Sequence, residues 1–178
     1  MTTQTATALA ELSPFSYITE QGEIPSQVKG KVGIYAIFNA AQTLQYVGYS
    51  RDIYLSLKQH LVRRPNQCHW LKVQTVERPS RTLLEGIRDA WIAENGALPP
   101  GNGPDIGGWT QPIDAKQTLS TSEQDELSQL DDRARIKFLK KIARRAEAAC
   151  IETLKQRNIS MTLRFNPKLK ESGLLDLK

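Results

Sequence analysis

Apolar residues in this chain recur with a period of two, then of about 3.6, then of two again, and each change marks a new element. Val32 to Phe38 is a short β-branched and aromatic run, Asn39 to Thr43 interrupts it, and Leu44-Gln45-Tyr46-Val47 resumes it. That order predicts a hairpin. Alternation puts Gly33, Tyr35 and Ile37 on one face of the first strand and Ile34, Ala36 and Phe38 on the other, so Tyr35 is not simply part of an apolar row. Gly48 is expected where the chain leaves the sheet, with Asp52 capping a helix through Ile53, Leu57 and His60 or Leu61. After Arg63-Arg64-Pro65, the segment His69 to Val76 reads as a third strand, carrying Trp70, Leu71, Val73 and Val76. Ser80 is placed to cap a second helix with the stripe Leu83, Leu84, Ile87, Ala90 and Trp91, which Asn95-Gly96 ends.

Four segments follow from this reading. Residues 1–27 form a polar lead-in whose Leu12, Phe15, Tyr17 and Ile18 pack on the domain, as either an ordered or a mobile arm. Residues 28–96 are the central module. Residues 97–121 are rich in glycine and proline; so long a loop in a compact domain is functional or mobile, and Trp109 is the residue that would pin it. Residues 122–178 form a helical extension and tail. One helix is expected from Ser122 to about Arg157, with Leu127, Leu130, Ile136, Leu139, Ile142, Ala143, Ala146, Ala149, Cys150 and Leu154 on its apolar side. Asn158 stops it, and Met161 to Phe165 could return as a strand. The expected fold is α+β: a small three-stranded, mainly antiparallel sheet flanked by helices, with a long C-terminal helix added.

Composition narrows the function classes. At 178 residues the chain is most simply one domain with appendages, and 39% hydrophobic with 24% charged residues is the balance of a water-soluble protein. No apolar run approaches the roughly 20 residues needed to cross a bilayer. MTTQTATALAEL lacks the basic and apolar regions of a secretory signal, so the cytoplasm is the expected compartment and no membrane partner is expected. Two cysteines, Cys68 and Cys150, supply neither a disulfide framework nor zinc-ligand spacing. They read as ordinary thiols, with a redox role for Cys68 as the alternative. The net charge of +5 is compatible with a polyanionic partner. One basic block is Arg51, Lys58, Arg63, Arg64 and Lys72; another is Arg133, Arg135, Lys137, Lys140, Lys141, Arg144 and Arg145. Either could hold phosphates or be a solvated helix face.

The pair Gly33-Ile34-Tyr35 and Tyr46-Val47-Gly48, followed directly by the Asp52-led helix, His60 and a later acidic helix, resembles the GIY-YIG nuclease domain over roughly residues 30 to 96. The likeness is nearest to the domain of that type at the N-terminus of plastid CGFS-type monothiol glutaredoxins. No CGFS sequence occurs in this chain, so a free-standing version is implied.

That resemblance implies a metal-dependent endonuclease. Phosphodiester hydrolysis requires an aimed water, charge stabilisation at phosphorus and protonation of the leaving oxygen. Carried over residue by residue, Tyr35 takes part in activating water, Tyr46 orients water or phosphate, and His60 assists as base or phosphate ligand. Glu85 would hold Mg²⁺ or Mn²⁺, while Gly33 and Gly48 serve through the backbone. Arg51, Lys58, Arg63 and Arg64 are the candidate nucleic-acid contacts, with DNA favoured. The pattern is broken at Ser56, where active members carry an arginine. A hydroxyl cannot replace a bidentate cation, so activity is expected to be weak or specialised. The alternative is an inactive scaffold that binds nucleic acid, or a protein partner through the C-terminal helix.

Overall fold

The computed structural model describes residues 5–178, so the first four residues of the lead-in lie outside the described residues. The chain divides into two compact units, residues 1–110 and 111–178.

The first unit is built on an antiparallel sheet. Its strands are β1 (Phe15–Ser16), β2 (Gly33–Phe38), β3 (Leu44–Ser50) and β4 (Trp70–Thr75), in the order β1-β4-β2-β3. The sheet therefore has four strands, not three. Phe15 and Ser16 pair with Leu71 and Trp70, a two-residue match too short for alternation to reveal. In the centre, Tyr35 stands opposite Gly48 on one side and Val73 on the other. The register confirms the expected faces of β2, and Tyr46 joins the Tyr35 face through its pairing with Ile37.

A helix covers each face. Helix α1 (Ile53–Arg63) starts at Asp52, whose carboxylate accepts from the Leu55 N–H, and buries Ile53, Leu57 and Leu61. Helix α2 (Arg81–Asn95) starts at Ser80 and ends at Gly96 in the left-handed region. Its Leu84, Ile87 and Trp91 pack with Ile34, Ala36, Leu44 and Val47 from the opposite face of the sheet. Each such large apolar side chain contributes roughly 1.5–3 kcal/mol when fully buried.

The lead-in is an ordered arm from Thr5 onward. The Glu94 carboxylate accepts from the Leu9 and Ala10 N–H groups at 2.7 and 2.8 Å, Trp91 Nε1 donates to the Thr7 carbonyl, and Leu9 enters the α2-side core. Tyr17 is fully buried, its hydroxyl donating to the Leu57 carbonyl at 2.6 Å. The Gly/Pro-rich stretch is likewise ordered over residues 97–110, where it forms a turn at Pro100–Asn102 and helix α3 (Ile106–Thr110).

The second unit holds a two-stranded antiparallel sheet of β5 (Ile113–Asp114) and β6 (Leu174–Leu175), with helices α4 (Thr121–Gln129), α5 (Asp132–Gln156) and α6 (Pro167–Lys170). Two corrections apply. The expected single helix is broken at Leu130-Asp131, because Asp131 is extended and its carboxylate caps α5 by accepting from the Ala134 N–H. Met161 to Phe165 forms no strand; only Phe165 bridges, to Leu177. Phe138, Leu139 and Ile142 of α5 pack with Ala115, Leu119 and Leu127. Ile136, expected on the apolar side, is exposed. No described helix is long and apolar enough to cross a membrane.

Replacing Asp131 by alanine removes the carboxylate cap and leaves the Ala134 amide without its partner. The expected result is a loss of about 1 kcal/mol, read by denaturant unfolding together with faster hydrogen exchange at the start of α5.

Candidate functional site

The Tyr35 face of the sheet carries a compact cluster of rings. Tyr35 projects from β2, Tyr46 from β3 and His60 from α1, with ring centroids 6.1 Å apart for the two tyrosines and 4.6 Å apart for Tyr46 and His60. Trp109 of α3 lies flat on Tyr46, at 5.4 Å and an interplanar angle of 2°. The Tyr35 hydroxyl meets His60 Nε2 at 2.8 Å. Gly48, inside β3 and not at its exit as expected, makes this arrangement possible. A Cβ at that position would stand 2.6 Å from Tyr46 Cε1 and 2.8 Å from the Tyr35 hydroxyl. Gly33 serves a separate need, since a Cβ there would lie 2.1 Å from the Gln74 carbonyl oxygen on β4.

Burial sets the protonation of the cluster. Desolvation, reinforced by Tyr46, holds the Tyr35 phenol well above its ordinary range, so it stays protonated. The half-buried Tyr46 phenol is also raised by desolvation, with Arg88 and Arg63 pulling it back. His60 is pushed down to about 3, chiefly by burial and then by Arg63. It is a neutral imidazole at pH 7, its Nε2 in hydrogen-bond contact with the Tyr35 hydroxyl. Its Nδ1 is buried without a well-aligned hydrogen-bond partner. The Trp109 carbonyl acts on the ring from nearby while accepting from Arg63 Nη1 at 3.0 Å.

Glu85 belongs to the other face. Its Oε1 accepts from the Tyr49 hydroxyl at 3.1 Å and from Arg81 Nε at 2.8 Å. It makes hydrogen bonds with none of Tyr35, Tyr46 or His60. Tyr49 pairs with Ile34, one residue out of phase with Tyr35 and Gly48, and so points to the α2 side. The link between the faces is the edge strand β3. Arg88 lies over the Tyr49 ring, 5.5 Å from its centroid, and also acts electrostatically on Tyr46. The Arg81 and Tyr49 hydrogen bonds lower the Glu85 pKa and keep it anionic. Its second carboxylate oxygen takes no hydrogen bond among the described residues. An anionic, partly exposed oxygen donor of this kind fits a Mg²⁺ or Mn²⁺ ion whose other ligands are water and phosphate. No group of three or more His, Cys, Asp or Glu able to hold a metal occurs among the described residues.

The other candidates divide in two. Arg51 is exposed, and Lys58 rests beside the Tyr54 ring at 5.9 Å, opposite in helical phase to the ring cluster. Arg63 and Arg64 are engaged by residues 97–110: Arg63 with the Trp109 carbonyl, and Arg64 bidentately with Asp105. Ser56 donates to Ser50 Oγ at 2.7 Å. Ser56, His60 and Arg63 stand at i, i+4 and i+7, one stripe of α1, so a cation does occupy that face, two turns beyond Ser56. The sequence pattern does not single out Tyr49, Arg88 or Asn102 as site residues. The spacing of Arg88 three residues after Glu85 was the available signal. Nothing local identifies Asn102, whose side-chain amide clamps both the N–H and C=O of Val47 at 2.8 Å. Cys68 is fully buried, directed at the His60 carbonyl, and neither cysteine is in a disulfide.

No family model matches the chain. Among curated proteins it is similar to the bifunctional monothiol glutaredoxin-S16 of Arabidopsis thaliana chloroplasts, with 39% identity over 89 residues. The match covers 48% of this chain and 29% of that protein, so the chain spans well under half the length of the relative it matches. A relation to that glutaredoxin over the matched stretch is thereby supported.

Two outcomes follow from the cluster. Because the folded His60 pKa lies below the ordinary value near 6.5, its contribution to stability is complete above that value and declines as the pH falls toward about 3. At about 1.4 kcal/mol per pH unit the decline amounts to several kcal/mol. Urea titrations through that window should show a shallower pH slope in His60→Gln than in the wild type, the remainder coming from carboxylates held low in the folded state, such as Glu123. Gly48→Ala should displace the phenols, eliminating the near-ultraviolet dichroism of the Tyr46 and Trp109 stack; an unchanged spectrum would contradict the packing described.

Proposed function

We propose that this chain is a divergent, divalent-metal-dependent phosphodiester hydrolase of the GIY-YIG type acting on nucleic acid, with DNA favoured and turnover kept low. The observation that carries the reading is the Tyr35–His60 hydrogen bond beside the half-exposed Tyr46, with Arg63 and Arg88 acting on Tyr46 from the two helices. In this reading Tyr46 orients the attacking water or a phosphate oxygen at the sheet edge. The proton released from water passes to the Tyr35 oxygen as the Tyr35 proton moves to His60 Nε2, giving an imidazolium and an intact phenol. The imidazolium returns its proton by the same route to the leaving oxygen as the bond from that oxygen to phosphorus breaks. Arg63 and Arg88 supply positive charge that Ser56 cannot. Glu85 would hold Mg²⁺ or Mn²⁺, which when bound supplies charge neutralisation for the phosphate.

The low turnover has a physical basis. A buried imidazole that protonates only near pH 3 is a reluctant base, and loss of one charge-stabilising donor costs on the order of a hundredfold in rate. An arriving phosphate would favour the imidazolium and partly offset the repulsion from Arg63. Two thiols outside any disulfide suit a reducing cytoplasm.

A second reading, a non-cleaving scaffold for nucleic acid or a protein, is supported by the cover over the cluster. Trp109 is buried against Tyr46, and Arg81 and Tyr49 occupy one oxygen of Glu85.

Supercoiled plasmid incubated with Mg²⁺ or Mn²⁺ separates the two. Hydrolysis predicts nicking that chelation abolishes and that Tyr35→Phe and Glu85→Gln each reduce by about a hundredfold. Nicking that both substitutions leave intact would place the chemistry elsewhere, and no nicking with either ion would leave the scaffold reading.

A further inference from the structure

The charge of this protein is unevenly held. Residues 111–178 contain fourteen Lys and Arg against ten Asp and Glu, whereas residues 1–110 contain ten against nine. The second unit thus carries +4 of the net +5, although the candidate hydrolytic site lies in the first.

Apart from Arg135, which is exposed on another side of the helix, the cations of α5 form two sets. Lys140 pairs with Glu171 at 3.2 Å, and Arg145 binds both oxygens of Glu123 at 2.6 and 3.3 Å. On the same helix Glu147 pairs with Lys170. These contacts tie α5 to its neighbours within the second unit. Arg133, Lys137, Lys141 and Arg144 are exposed and have no ion pair with a carboxylate among the described residues. They stand at i, i+4, i+8 and i+11, on one face, spanning about 16 Å; Lys155 continues the line to about 33 Å.

Fold stability does not account for this stripe. Arg133 with Lys137 and Lys137 with Lys141 are like-charge pairs at i, i+4, an arrangement that destabilises a helix. The residues that hold α5 in place, Phe138, Leu139, Ile142 and Ala143, occupy the opposite side. What the stripe matches is a regular line of negative charge. One strand of B-form DNA presents a phosphate for about every 3.4 Å of helix axis, so a row of cations about 16 Å long comes within reach of several of them. A membrane surface would require an apolar face beside the cations, and that of α5 is buried within its unit. An acidic protein surface would be expected to find aromatic anchors, whereas Ala148 and Ile151 are the apolar residues along this line.

We propose that the outer face of α5, at Arg133, Lys137, Lys141 and Arg144, binds the phosphate backbone of duplex nucleic acid without reading its sequence. This holds whether or not the first unit hydrolyses anything.

The test is a fluorescence-anisotropy titration of the full chain with a labelled random-sequence duplex at several salt concentrations. The variant R133Q/K137Q/K141Q/R144Q should weaken binding at least about tenfold and reduce the slope of log affinity against log salt by about three to four. R78Q/R164Q/K168Q/K178Q, with the same net charge change at other exposed positions, should have a clearly smaller effect. The four single α5 variants, each expected to lower the slope by about 0.9, serve if the quadruple variant unfolds. Equal effects of the two quadruple variants would overturn the proposal, as would a wild-type chain that ignores the duplex. Stripe-dependent binding to phosphatidylserine vesicles or polyglutamate but not to duplex would also overturn it. Tyr35→Phe should bind the duplex as the wild type does, so cleavage and binding can fail separately.

Discussion

The first unit depends on an empty position. Gly48 stands directly across from Tyr35 on the edge strand, and the volume its missing side chain leaves is filled by the two phenols. With that room, Tyr35 reaches His60 on the helix that covers the same face. Without it, strand pairing and ring packing could not both be satisfied, because interiors packed to crystal density have no slack for an added methyl group. The site is therefore a consequence of register: moving β3 by one residue would put Tyr46 on the α2 face and Val47 in its place.

Register also explains why the acidic residue stands apart. Glu85 is positioned by α2, which packs on the face carrying Ile34, Ala36 and Val47, and the nearest phenol on that face is Tyr49. The two half-sites approach one another only around the edge of β3. That edge is managed by Asn102, which satisfies the Val47 N–H and C=O as another strand would. The same segment brings Trp109 over Tyr46 and uses Arg64 and Asp105 as a latch, so residues 97–110 both close the sheet edge and roof the ring cluster.

Charge is arranged by a different logic in the second unit. Where a cation of α5 faces a neighbouring segment, it meets a carboxylate at Glu171 or Glu123. Where it faces outward it does not. Exposed ion pairs contribute little to stability, so the pairing serves orientation of the helix more than strength. The unpaired row is left as a long-range field.

The sequence alone determined most of what has a local cause. The β2–β3 hairpin follows from alternation, and α1 and α2 follow from Asp52, Ser80 and Gly96, whose capping interactions lie within a few residues of each cap. The break before α5 was legible in principle, since Asp131 is an ordinary capping residue, but the apolar stripe ran through it. Tertiary structure alone decided what depends on distant partners. Strand β1 exists only because β4 offers an edge, and Asn102 acquires a role only against Val47, 55 residues away. Whether Arg63 and Arg64 meet solvent or the 97–110 segment depends on where that segment folds back. Side-chain identity fixes which charges and hydroxyls are available; the face of the sheet on which each lands depends on pairing and packing between elements far apart in the chain.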